Sequence, residues 1–83
     1  MQNITIKIQG YGAIERELPA DLSVQCQMAT PVAEVIHFIA LAYPDAAALL
    51  KCCACAIEDN MISRQTELNT DRTLVLLSPV AGG

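Results

Sequence analysis

Within its 83 residues the chain changes hydrophobic period twice, and that pattern leaves few folds open. Residues 3–9 alternate without a break. Ile4, Ile6 and Ile8 share one face and Thr5, Lys7 and Gln9 the other, as in a half-buried strand. Gly10-Tyr11-Gly12 then predicts a turn or loose loop. Residues 22–28 alternate again, with Leu22, Val24, Cys26 and Met28 inward, and predict a second strand antiparallel to the first. From Thr30 the spacing becomes helical. Val32, Val35, Ile36, Ile39 and Tyr43 form one apolar stripe. Thr30 reads as the N-cap and Pro31 as the first helical residue. Pro44 ends the helix, because the residue before a proline avoids the helical region. Asp45 is placed to cap a short further turn through Leu50.

The period then returns to that of a sheet. Residues 52–57 predict a buried strand and Met61-Ile62 a short one. Leu68 reads as a core plug ahead of the turn formers Asn69-Thr70-Asp71. Residues 73–77, Thr-Leu-Val-Leu-Leu, are apolar on both faces, so this last strand is expected in mid-sheet or under a partner. Strands on both sides of one main helix predict an α+β domain in which a mixed sheet packs on that helix. Residues 1–77 are expected to form the single domain and residues 78–83 a flexible C-terminal Gly-Gly tail.

The composition narrows the function classes. The apolar fraction is 53% with no tryptophan, so the core is aliphatic. Net charge is −4 and the five basic residues are dispersed, which argues against nucleic acid or an anionic membrane as partner. The opening Met1-Gln2-Asn3-Ile4-Thr5 lacks the charged and apolar regions of a secretory signal, so a cytoplasmic location is expected. In that reducing setting Cys26, Cys52, Cys53 and Cys55 read as small hydrophobes rather than disulfides. Cys52 and Cys53 would project to opposite faces of a strand, which disfavours joint metal chelation, and no metal is expected. His37 lies off the helical stripe without an orienting partner, so it reads as a partly exposed surface residue. Asp45, Glu58, Asp59, Glu67 and Asp71 suit solvated turns. On the last strand, Leu76 is the expected partner contact.

The chemistry-bearing feature is the final segment, Ser78-Pro79-Val80-Ala81-Gly82-Gly83. Two glycines close a chain by chance in about 0.5% of cases at average glycine usage, so the pair calls for a reason. A carboxylate that must enter another enzyme's narrow channel needs a backbone without side-chain bulk, and glycine supplies it. Pro79 removes a backbone donor and stiffens the exit from the strand. Six extended residues reach about 20 Å. A carboxylate is a poor electrophile and must be activated, most simply as an acyl-adenylate, before a sulfur nucleophile can attack.

The strand Leu74-Val75-Leu76-Leu77 running into this tail, with Leu68 ahead of a polar turn, resembles the small subunit of molybdopterin synthase in the ubiquitin-like sulfur-carrier family. The helix and the N-terminal strands fall where that family places them, although Ser78 stands where it usually carries a first proline. The resemblance implies a ubiquitin-like β-grasp fold. It implies that Gly83 is adenylated by an ATP-dependent, ubiquitin-activating-type adenylyltransferase and then thiocarboxylated, with no resident cofactor. It also implies a tail, Ser78 to Gly82, that enters a large catalytic subunit, delivers sulfur to a pyranopterin precursor and belongs to a heterotetramer. The small subunit itself would be non-catalytic. A thiamine-type or other sulfur carrier, or a ubiquitin-like protein modifier, would use the same terminus.

Overall fold

The structure, a computed structural model, describes residues 2–79. Strand β1 (Asn3–Tyr11) leads into a short helix α1 (Ala13–Glu17) and returns as β2 (Ser23–Gln27). A two-residue strand β3 (Thr30–Pro31) precedes the main helix α2 (Val32–Ala42). A 3-10 turn (Pro44–Ala46) and α3 (Ala47–Cys52) follow, and the chain closes with β4 (Ala54–Ile57), β5 (Asn60–Ile62), β6 (Glu67–Leu68) and β7 (Arg72–Leu77). The main sheet has the order β2-β1-β7-β4-β5, and β3 pairs separately with β6. β1 and β7 run parallel at its centre, while their outer neighbours pair antiparallel. This is the α+β, mixed-sheet arrangement that the period changes predict.

The core lies between one face of the sheet and α2. Ile4, Ile6 and Ile8 of β1 and Leu74 and Leu76 of β7 meet Val32, Val35, Ile36 and Ile39 of α2 there, all buried. Leu68 plugs this core as expected, and Leu50 of α3 closes one end. Pairing a central strand on both edges satisfies its backbone groups, which is why β7 can be apolar on both faces. The parallel pair is sealed at both ends by side chains. Asp71 Oδ1 accepts the Thr5 amide at 2.8 Å where the β1–β7 register begins. Ser78 closes the other end.

Six local expectations change. Cys52 belongs to α3, so the strand expected over residues 52–57 begins only at Ala54, and Asp45 lies inside the 3-10 turn and makes no capping bond. β1 runs on through Gly10 and Tyr11, because these pair with Leu76 and Leu77 of β7, and the turn starts only at Gly12, whose φ is 82°. A Cβ on Gly10 would stand 3.3 Å from the Glu15 backbone, so its missing side chain lets α1 fold back on the strand. Met28 is half exposed, in the turn that ends β2 rather than on its inner face. The main helix begins at Val32, with Pro31 as its N-cap. Thr30 instead donates its hydroxyl to the Gln27 carbonyl at 2.6 Å. The first amides of α2 are capped by backbone: Val32 N–H donates to Thr66 O and Ala33 N–H to Arg64 O, each at 2.9 Å. Two orphan donors of the helix start are thereby satisfied without a capping side chain.

Candidate functional site

β7 is the element on which the site is built, since it carries the chain out of the sheet. Its alternation is strict. Leu74 and Leu76 are fully buried against α2, while Val75 and Leu77 lie half-buried on the opposite, open face. Leu76, the expected contact residue, is buried in the core and offers no surface to a partner; the open-face residues of β7 are Val75 and Leu77. The register places Tyr11 of β1 and Ala54 of β4 beside Leu77, and Ala56 beside Val75 with Met61 of β5 beyond it. Tyr11 is 50% exposed and Met61 63%, so the open face carries an apolar patch across four strands. Exposed apolar surface of this kind is a candidate protein-binding face.

The patch runs into Ser78. The Ser78 amide donates to the Tyr11 carbonyl at 3.1 Å, and the Ser78 hydroxyl donates to that same oxygen at 2.9 Å. Ser78 Oγ also accepts the Ile14 amide, at 3.1 Å, from the first turn of α1. Ser78 is thus held to the domain, and the exposed Pro79 is the next residue outward. Val80, Ala81, Gly82 and Gly83, the rest of the expected tail, lie outside the described residues.

The remaining candidates stay apart from this site. Cys53 and Cys55 are buried and Cys52 is exposed, so the three thiols do not converge. Burial pushes the Cys53 and Cys55 thiols above their ordinary range, the former helped by Cys55 itself, and burial raises Cys26 as well. Raised thiols are poor nucleophiles and poor metal ligands at neutral pH. Among the described residues no group of three or more His, Cys, Asp or Glu side chains is placed to hold a metal ion. His37 is exposed on α2. Asp71 is spoken for by Thr5, and Glu58 lies 3.6 Å from Arg72 in an exposed ion pair. A surface depression of about 540 Å³ on the same open face is lined by Thr5, Lys7, Arg72, Thr73 and Val75, and so adjoins the apolar patch at Val75. No helix among the described residues is long and apolar enough to cross a membrane.

Sequence reasoning missed Tyr11, Val75 and Leu77 as the open-face set, and Arg64 altogether. With both faces of β7 apolar, alternation alone could not say which leucine points inward; the parallel pairing with β1 decides it. Arg64 carries no motif, yet its guanidinium donates to Leu50 O at 2.6 Å, Cys53 O at 2.8 Å and Lys51 O at 3.2 Å.

A sheet of this order grasping one helix, with its central strand leading outward, defines a ubiquitin-like β-grasp protein. The model of the ThiS family matches residues 11–83, and the chain belongs to that family. It is thus a ubiquitin-like sulfur carrier of that family. By sequence, no curated protein matches it. Solved structures match its fold. SAMP1 from Haloferax volcanii aligns over 95% of this chain and 99% of its own, with a TM-score of 0.80 at 11% identity. A putative molybdopterin converting factor subunit 1 from Pyrococcus furiosus covers 93% and 99%, with a TM-score of 0.77 at 12% identity. A chain from the complex of subunits 1 and 2 of the Helicobacter pylori molybdopterin-converting factor covers 96% and 100%, with a TM-score of 0.63 at 23% identity.

Proposed function

We propose that this chain is the sulfur-carrying small subunit of a molybdopterin synthase, with the Gly83 carboxylate as its working group. The supporting observation is the apolar open face of Tyr11, Val75, Leu77 and Met61, which is continuous with the residue where the chain leaves the sheet. A face so placed lets one partner grip the domain while the peptide end enters its active site. The structural likeness to the Pyrococcus and Helicobacter molybdopterin converting factor proteins favours molybdopterin conversion, and the Helicobacter structure is a complex of two subunits. A large catalytic subunit is the corresponding partner here, in a heterotetramer.

The chemistry follows from the carboxylate. Gly83 attacks the α-phosphate of ATP in the ubiquitin-activating-type partner, releasing pyrophosphate and leaving an acyl-adenylate. A sulfide-level nucleophile then displaces AMP, giving a thiocarboxylate; its sulfur bonds to the pyranopterin precursor, and water cleaves the acyl–sulfur bond, returning the Gly83 carboxylate. The glycines make the last step accessible, and the folded domain contributes recognition rather than catalysis.

Intact-mass measurement after incubation with the activating enzyme, ATP and a sulfur source tests this reading. The expected result is a gain equal to the difference between sulfur and oxygen, absent when Gly82-Gly83 is deleted. The charged chain, with the large subunit, should then convert the precursor. No mass gain, or conversion by the truncated chain, would remove the proposal. A charged chain that rescues thiamine but not molybdoenzyme activity would move it to the thiamine-type pathway. Adducts on lysines, seen on a denaturing gel, would identify a modifier.

A further inference from the structure

We infer that Ser78 is a positioning residue: its side chain buckles the end of β7 to the β1–α1 corner and so sets the direction in which the C-terminal peptide leaves the domain. This rests on the sulfur-carrier reading and deepens it. Three hydrogen bonds converge on one residue. Its hydroxyl donates to Tyr11 O at 2.9 Å and accepts Ile14 N–H at 3.1 Å, and its own amide donates to Tyr11 O at 3.1 Å. The hydroxyl thus uses its donor and an acceptor site at once, which fixes its rotamer. It also satisfies an amide of the first turn of α1, a donor with no partner inside that helix.

Gly12 is shaped to this buckle. Its φ of 82° lies in the region L-residues avoid, and a Cβ there would stand 2.5 Å from Ser78 Oγ. The glycine both makes the turn and leaves the room the hydroxyl occupies. Order therefore extends one residue beyond β7, to the position next to Pro79, whose ring restricts the following φ. Five residues, Pro79 to Gly83, then remain to span the partner's channel, about 17 Å when extended. A partner docked on Val75 and Leu77 meets a peptide that starts from a set point and heading. The ordering that would otherwise be lost on binding is made in advance.

The test combines the free chain with the charging reaction. In Ser78→Ala the Ile14 amide should exchange with solvent faster, as followed by NMR. The KM for the chain in ATP–pyrophosphate exchange by the activating enzyme should rise about 3- to 10-fold, the cost of part of one residue's backbone order. The kcat should hold, because the Gly83 carboxylate is unchanged once seated. Ser78→Thr, which keeps the hydroxyl, should restore both readouts. Gly12→Ala should raise KM as Ser78→Ala does, and the double variant should be no worse than the poorer single one. Asp71→Ala, which removes the bond to the Thr5 amide at the opposite end of the β1–β7 pair, should lower thermal stability without moving KM. An unchanged KM in Ser78→Ala, or an equal rise in Asp71→Ala, overturns the positioning role. A wild-type chain that supports no exchange removes the sulfur-carrier reading and this role with it. An Ile14 amide indifferent to Ser78 overturns the buckle whatever the kinetics show.

Discussion

Arg64 joins the ends of two helices. Its carbonyl accepts the Ala33 amide at the start of α2, and its guanidinium covers the carbonyls of Leu50, Lys51 and Cys53 at the end of α3. Removing the side chain strips the Lys51 and Cys53 carbonyls of this donor and leaves Leu50 O with the 3.4 Å bond from the Cys53 amide alone. The bonds to Leu50 O and Cys53 O are partly buried, at 2.6 and 2.8 Å, while the 3.2 Å bond to Lys51 O is exposed and readily replaced by water. A hydrogen bond with a charged partner is worth about 1.5–3 kcal/mol net. With solvent access relieving part of the loss, Arg64→Ala should cost roughly 1.5–3 kcal/mol. An 83-residue domain has about 4–12 kcal/mol of stability in all, so the variant should still fold. Its melting temperature should fall by roughly 6–24 °C, at about 4–8 °C per kcal/mol for a domain this small. Thermal and urea unfolding followed by circular dichroism measure this, with an unchanged m-value showing that the unfolded reference has not moved. Arg64→Met separates the causes, since it keeps the apolar stem without the fork. It should lose as much as Arg64→Ala, and Arg64→Lys should recover less than half, because one ammonium cannot serve diverging carbonyls as a planar guanidinium does. Full stability in Arg64→Met would refute the argument by showing that stem packing, not the carbonyl bonds, is what the residue supplies.

Neighbouring leucines of β7 should separate folding from binding. Leu76→Ala should cost about 2–5 kcal/mol through the cavity it leaves, while Leu77→Asp on the open face should change the urea midpoint little yet weaken large-subunit binding measured by calorimetry. Under native conditions iodoacetamide should label Cys52 first, with the buried Cys26, Cys53 and Cys55 labelled only on unfolding; intact mass counts the adducts. The folded state holds the protons of Cys26, Cys53 and Cys55 more tightly than the unfolded chain does. Their contribution is therefore complete below the unfolded thiol value and is lost as pH rises through the raised folded values, so the urea midpoint should start to drop as pH passes the ordinary thiol value of 9.0. A Cys53→Ala/Cys55→Ala chain should show a shallower drop, and an equally steep one would assign the effect to other groups.

How far the fold could be read in advance depended on whether a segment's own pattern decided its place. The β1 isoleucines and the α2 stripe did decide it, because each has one wet and one dry face and so only one phase that buries its apolar side. Residues 52–57 did not, being small or apolar in either phase: Cys52 ends α3, Cys53 caps it, and the strand begins only at Ala54. β7 did not, since Leu74, Val75, Leu76 and Leu77 are apolar in either phase; the side facing α2 is settled by its parallel pairing with β1, across more than sixty residues of chain. The Thr30-Pro31 pair had the chemistry of a helix start. It lost that role because the carbonyls of Arg64 and Thr66, remote in sequence, already meet the first amides of α2. Gly10-Tyr11-Gly12 looked like loose loop for a similar reason: glycine reports conformational freedom, while the strand partner that extends β1 through Tyr11 lies elsewhere.

That long-range pairing also fixes the point, Ser78, at which the chain leaves the sheet. β7 is bonded on one edge to β1 and on the other to β4, with Asp71 and Ser78 closing the ends of the β1–β7 pair. Moving such a strand would break bonds to both neighbours and withdraw Leu74 and Leu76 from the core. Local opening of a domain is drawn from segments with few such contacts, so β7 is among the last elements expected to open. An edge strand such as β5 would provide a looser mount, with a heading that varied as the edge frayed. Central placement gives the peptide a stationary base while Val75 and Leu77 remain half-exposed beside it for a partner to grip. Grip and exit then belong to one strand, and the distance between them is set by the rise of about 3.3 Å per residue rather than by the packing of separate elements.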